Sequence, residues 1–205
     1  MPEPFLELRG VAKHWPTLQL GPLDLFLPGG MMLGLVGANG AGKSTLLKML
    51  VGLVRAGAGS LRFKGLDLGA DGAAIRRRIA YVPDEPRFVP ERTLLALKTV
   101  HARFYPDWDE ACWQGLMADF GLDPELKARH LSLGMRTKFA LTLALARNAE
   151  LLVLDEPTTG LDPVFRRELL QRLSRWIEDD RRSILFSTHI TSDLEDRVDL
   201  VAFLR

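Results

Sequence analysis

At 205 residues, with 47% hydrophobic and 26% charged residues, the chain has the composition of a folded globular protein and not of a disordered one. Its 27 Lys and Arg against 26 Asp and Glu leave a formal charge of +1, which gives no broad field for non-specific nucleic-acid binding. Cys112 is the only cysteine, so an intrachain disulfide and a cysteine-cluster zinc site are both excluded, as suits a reducing compartment.

The first residues, Met1, Pro2, Glu3 and Pro4, lack the basic start and apolar run of a signal peptide. Residues 5–8 alternate apolar and polar like a strand, and residues 20–27 read as a second. The longest uncharged run, residues 25–42, contains Pro28 and six glycines, which is poor material for a membrane helix. A role at a membrane is therefore expected to need another chain that spans it.

A short apolar strand at residues 31–36 leads into Gly37, Ala38, Asn39, Gly40, Ala41, Gly42, Lys43 and Ser44, the pattern G-x-x-x-x-G-K-[ST]. A helical stretch follows, with Leu46, Leu47 and Leu50 on one side, stopping near Gly52. Strand, glycine loop, helix is the order a polyphosphate site requires: backbone N–H groups turn inward and the helix presents its positive end. Lys43 is placed to reach the β- and γ-phosphates, and the Ser44 hydroxyl to ligate Mg²⁺. An ordinary glycine turn is the plain alternative, but average composition yields such a match by chance in under roughly one chain in a hundred of this length.

Residues 61–63 and 79–82 read as further strands, and residues 88–148 as mostly helical, punctuated by Pro106, Gly121 and Pro124. Residues 151–154 form a fully apolar run of the kind buried on both faces of a parallel sheet. Asp155 and Glu156 stand at its end, which in open α/β sheets faces the ligand crevice. There Asp155 is placed to hold Mg²⁺ and Glu156 to act as general base on an attacking water, although Pro157 also allows a plain acidic turn. Between 164 and 177 a helix carries Phe165, Leu169, Leu173, Trp176 and Ile177 on one face. Apolar runs at 184–186 and 198–204 complete the set. His189 closes the first of them, either as a structural histidine or as a donor to a γ-phosphate. Strands at both ends and a helical middle predict an α/β core interrupted by a helical insertion.

These pieces, in this order, resemble the ATP-binding subunits of ABC transporters over nearly the whole chain, from about residue 5. Residues 37–45, ending on Thr45, match the Walker A motif, and residues 151–156 match Walker B. Residues 157–162 look like the D-loop, His189 like the switch histidine, and residues 131–135 like the signature segment. The resemblance implies a P-loop NTPase core with an antiparallel β portion and an inserted helical subdomain. One domain over 1–205 is expected, with lobes 1–86 and 149–205 forming the nucleotide-binding core and 87–148 the helical subdomain. It further implies ATP and Mg²⁺ as ligands, adenine stacked on Trp15, and head-to-tail pairing. In that pairing Ser132, the backbone near Gly134 and the following helix N-terminus meet the γ-phosphate bound by a second copy or a related subunit. The helical segment and the region around residue 84 would pass the motion to a separate transmembrane permease, at the cytoplasmic face of the cell membrane. Residues 104–109 and the Leu-Gly-Met signature resemble a bacterial exporter-type branch.

Two residues depart from the family pattern. Asp84 stands where Gln is usual; it can still contact Mg²⁺ or its water, but adds negative charge near the γ-phosphate. Leu133 replaces the first signature glycine and is expected to weaken the closure of the pair without abolishing it. The run Arg76, Arg77, Arg78 is expected to be a solvated helix end. A soluble ABC ATPase acting on nucleic acid or ribosomes is one alternative, although the long coiled-coil insertions or paired halves of such proteins do not fit in this length. A small-metabolite P-loop kinase is another, which leaves residues 132–135 and Asp162 without a role. No nucleic-acid partner is expected.

Overall fold

The computed structural model describes residues 4–16, 18–177, 180–189 and 198–204. In chain order the elements are β1 (Leu6–Trp15), β2 (Leu18–Leu27), β3 (Met32–Gly37), α1 (Lys43–Leu50), β4 (Ala58–Phe63), β5 (Leu66–Asp67), α2 (Gly72–Arg78), β6 (Ile79–Val82), α3 (Leu94–Ala102), α4 (Glu110–Asp119), a 3-10 turn (Ala128–His130), α5 (Leu133–Ala146), β7 (Leu151–Asp155), α6 (Pro163–Trp176), β8 (Ser183–Thr188) and β9 (Leu200–Leu204).

Two kinds of apolar pattern give two sheets. The runs without alternation form a parallel sheet in the order β6-β7-β8-β3-β9, and every residue of β7 and β8 is buried. Successive side chains point to opposite faces, so each strand feeds two cores. Leu151, Val153 and Leu185 face α1 and the second sheet, while Leu152, Leu154, Ile184 and Phe186 face the side of α4, α5 and α6. The second sheet is antiparallel, in the order β2-β1-β4-β5.

β1 runs well past the four residues expected of it. Leu6, Leu8 and Val11 are all buried, a spacing of two and then three, and the register shifts between Leu8 and Val11. Gly10, at φ +55°, sits in that irregularity, so an interrupted alternation still lines one core.

The helical stretch resolves into α3, α4 and α5, each started by a side chain that accepts a first-turn N–H: Thr93, Asp109 and Ser132. α5 is buried almost all round from Thr137 onward, lying between α4 and the parallel sheet. The arginine run does end a helix, α2, but it is not simply solvated. Arg78 turns onto Glu150, its Nη2 donating to Oε2 at 2.9 Å, and its guanidinium lies 4.9 Å from the Phe63 ring. The three arginines could not be ranked from spacing alone, because Glu150 is distant in sequence and arrives only with β7.

Candidate nucleotide site

Glycines shape the loop between β3 and α1. Gly40 and Gly42 have φ of +83° and +96°, and a Cβ on Gly37 would stand 2.5 Å from the Leu204 carbonyl oxygen. Gly42 caps α1 without any side chain bonding the first turn, and no acidic residue lies in that turn. The positive end of the helix is thus turned toward the loop, a setting made for an anion. Ala41 N–H donates to Ala38 O at 3.1 Å, tightening the loop. Lys43 is buried beneath it, Nζ donating to Gly37 O at 2.7 Å and to Ala38 O at 3.3 Å.

The acidic wall comes from the end of β7. Asp155 is 2% exposed and accepts from two hydroxyls at Oδ1, Ser187 Oγ at 2.7 Å and Ser44 Oγ at 3.0 Å. Glu156 has φ +49°, and this sharp turn sends its carboxylate between Lys43 and His189: Oε1 lies 3.5 Å from Lys43 Nζ, and Oε2 lies 2.7 Å from His189 Nδ1. A cleft of about 250 Å³ lies between the walls, lined by residues 38–40 and 42–45 on one side and by Asp84 and Glu156 on the other.

Charge is crowded on the acidic wall. Asp84 is held above the usual carboxylate range, first by desolvation and then by Asp155, Glu156 and Glu85, with His189 opposing. Burial and the Asp155 carboxylate push the Tyr81 phenol well above its ordinary value. The crowding suits a divalent cation. Ser44 and Asp155 already converge, and an all-oxygen donor set fits Mg²⁺, which takes few protein ligands and completes its shell with phosphates and water. Among the described residues no group of three or more His, Cys, Asp or Glu forms a ready metal cage.

The family described as ABC transporter matches residues 20–159. This chain belongs to the ABC transporter ATP-binding family. It is 30% identical over 200 residues to the ABC transporter ATP-binding protein YtrB of Bacillus subtilis (strain 168), covering 97% of this chain and 68% of that one. It is 33% identical over 196 residues to the Nod factor export ATP-binding protein I of Cupriavidus pinatubonensis, covering 93% and 60%. Among solved structures, an ATP binding subunit of an ABC transporter superposes with a TM-score of 0.89 at 30% identity, over 98% of this chain and 86% of that one. The ATP-binding cassette MJ0796, solved as a dimer in a post-hydrolysis state with ADP and Pi, shares the fold with a TM-score of 0.87 at 21% identity, over 98% and 94%. The chain is thus an ATP-binding ABC ATPase subunit with a P-loop core, and the small-metabolite kinase alternative falls away.

The ABC ATPase fold brings some of the expected site residues together and leaves others apart. Ser44 bonds Asp155, and Lys43 and His189 flank Glu156; Ser187 joins the two groups, with Asp84 beside them. Trp15 ends β1, with Lys13 Nζ 5.1 Å from its ring, and it does not line the cleft. Ser132 and Gly134 lie at the start of α5, also outside the cleft lining. The helix was expected to follow the signature segment; it begins inside it, at Leu133, because Ser132 Oγ accepts from Met135 N at 3.2 Å. The Leu133 side chain leans on its own chain's D-loop segment, Cδ2 standing 3.4 Å from where a Cβ on Gly160 would be. Two residues that sequence reasoning passed over touch Asp155: Ser187, and Tyr81, whose OH lies 3.4 Å from Oδ2. Their signal is positional, since Ser187 is next to last in the strand that also delivers His189, and Tyr81 lies three residues before Asp84.

Proposed function

We propose that this chain is the ATP-hydrolysing engine of an exporter, docked on a separate transmembrane permease at the cytoplasmic face of the cell membrane. The observation that carries the hydrolytic part is Glu156, held between Lys43 and His189 on the rim of the glycine-loop cleft. In this reading residues 37–45 cradle the phosphates of ATP and Lys43 neutralises them. Ser44, Asp84 and Asp155 supply the oxygens for Mg²⁺, whose bound charge would offset that of the phosphates. Glu156 takes a proton from the attacking water, and His189 orients Glu156 and reaches toward the γ-phosphate. Trp15 supports the adenine. Ser132 and Gly134 lie away from this chain's own cleft, which supports their serving the nucleotide of a second copy or a related subunit in a head-to-tail pair. The dimeric cassette of the same fold is in keeping with such a pair. We divide the single domain into a nucleotide-binding core, 1–86 and 149–205, and a helical subdomain, 87–148.

The transport part rests on relatives named for ATP-binding in ABC transport and for Nod factor export, and on a second surface. A largely apolar groove of about 600 Å³ runs between the segment after β6 and helices α3 and α5, with Phe88, Val89, Val100 and Phe104 on its walls. Val100 and Phe104 are 59% and 69% exposed. The groove begins beside Tyr81 and Pro83, next to Asp84, so an occupant there would sense the nucleotide cleft. Among the described residues no helix is long and apolar enough to cross a membrane. Tagging the chain in its host, solubilising membranes gently and identifying co-purifying proteins tests this reading. A polytopic membrane protein in near-stoichiometric yield, lost in a Val100→Asp/Phe104→Asp variant that still hydrolyses ATP, is the expected result. Ribosomal proteins or nucleic acid without a membrane partner would move the function to the soluble alternative.

Asp84 gives a finer prediction. Its carboxylate adds to the negative wall, so Asp84→Gln should change the hydrolysis rate and the Mg²⁺ concentration for half-maximal activity by roughly 2- to 10-fold. In the metal-free protein desolvation first, and then Asp155, Glu156 and Glu85, raise its pKa, so the effect of Asp84→Gln on metal-free nucleotide binding should shrink as pH falls. Identical rates and Mg²⁺ dependence at every pH would show that Asp84 only shapes a turn.

A further inference from the structure

We propose that Ser187 is a positioning residue of the hydrolytic site, its one hydroxyl tying Asp155 to the backbone of Glu156 and so setting where both carboxylates stand. The inference rests on the hydrolytic reading of that pair. Ser187 lies on β8 directly across from Asp155 on β7, in parallel register, and is fully buried. Its Oγ accepts from Glu156 N at 2.9 Å and donates to Asp155 Oδ1 at 2.7 Å. The direction of both bonds is forced. A backbone N–H can only donate, so the hydroxyl oxygen must accept from it, and the single hydroxyl proton is left for the carboxylate.

Both ends of this bridge matter to the site. At Glu156 the bond secures the N–H of a residue at φ +49°, a left-handed conformation that side-chain-bearing residues adopt only at a cost. That conformation aims the Glu156 carboxylate at Lys43 and His189. At Asp155 the bond holds Oδ1, the same oxygen that Ser44 reaches at 3.0 Å, while Tyr81 OH approaches Oδ2 at 3.4 Å. Ser44 can give an oxygen lone pair to a metal and still donate its proton, so Ser187 and Ser44 hold Oδ1 together. A buried hydroxyl bonded in both directions cannot be removed without leaving a buried polar group unpaired.

Ser183 supplies the control for a merely structural role. It is also fully buried on β8, but its Oγ donates to Pro28 O at 3.1 Å, at the other end of the strand. Ser187→Ala, Ser187→Thr, Ser183→Ala and Glu156→Gln should be compared by thermal unfolding, by binding of a fluorescent ATP analogue without metal, by Mn²⁺ titration of the nucleotide-bound protein, and by steady-state hydrolysis. Ser187→Ala is expected to bind the metal-free analogue within about twofold of wild type, to need about tenfold more Mn²⁺, and to hydrolyse ATP about 10- to 100-fold more slowly with KM little changed. Ser187→Thr, which keeps the hydroxyl, should recover at least part of both losses, and Ser183→Ala should lose stability without losing turnover. Ser187→Ala turnover and Mn²⁺ affinity within about twofold of wild type, beside an inactive Glu156→Gln, would overturn the role of Ser187 alone. Equal losses of turnover in Ser187→Ala and Ser183→Ala would also overturn it. Near-normal hydrolysis by Glu156→Gln would instead overturn the reading of the site on which the inference rests.

Discussion

Glu156→Gln is expected to keep ATP binding and to lose about 100-fold or more of hydrolysis, the usual worth of a positioned general base. Gln has nearly the shape of Glu and tolerates the φ of +49° no worse, so the turn after β7 should survive. What the amide cannot do is accept a proton at neutral pH. Its effect on binding also has a sign. The carboxylate lies 3.5 Å from Lys43 Nζ and opens on the phosphate cleft, so it attracts the lysine and repels a γ-phosphate. Neutralising it frees Lys43 and removes a like charge, so ATP affinity should stay equal or rise. Single-turnover hydrolysis measured beside equilibrium binding checks both halves. Near-normal turnover would show that the water is activated elsewhere.

How far the sequence carried this site depends on whether the needed contact lies along the chain or across it. Gly37, Gly40, Gly42, Lys43 and Ser44 are legible because the loop is built from neighbours, and each glycine answers a local demand on φ or space. β6 and β7 are legible because a strand buried on both faces has no alternation to interrupt. β1 was cut short because its irregularity at Gly10 shifts the phase of the apolar pattern. Ser187 was invisible for a different reason. It lies 32 residues from Asp155, and only the parallel register of β7 on β8 makes them partners. His189 shows the intermediate case: its place at a strand end could be read, but its bond to Glu156 needed the fold. The same holds for Glu150, which gathers Lys64 and Arg78 from segments far apart in sequence.

Arg147→Ala is expected to be the most destabilising single change outside the apolar cores, about 2–4 kcal/mol by loss of buried hydrogen bonds and packing. Arg147 is 8% exposed at the end of α5, and its Nη2 donates to Arg76 O at 2.7 Å and to Arg77 O at 3.3 Å. One guanidinium thus satisfies carbonyls at the end of α2, groups that a helix terminus cannot pair by itself. Its planar face lies 3.9 Å from the Tyr105 ring, tying the helical segment to the core. Burial lowers the Arg147 pKa and Tyr105 opposes the shift, so the charge is retained against a real desolvation cost. Arg147→Met should therefore lose less than Arg147→Ala: it fills the space and sheds that cost, but still strands the two carbonyls. A titration supplies an independent readout. His101 has its pKa lowered to about 4, mainly by burial and secondly by the Arg147 charge. A histidine depressed in the folded state stays neutral there while the unfolded chain takes up a proton, so its share of stability is lost as pH falls from about 6.5 toward 4. Removing the Arg147 charge should move the His101 resonance midpoint upward and narrow that window. A melting temperature unchanged in Arg147→Ala, with His101 titrating where it does in wild type, would show that α5 is tied to the core by its apolar face alone.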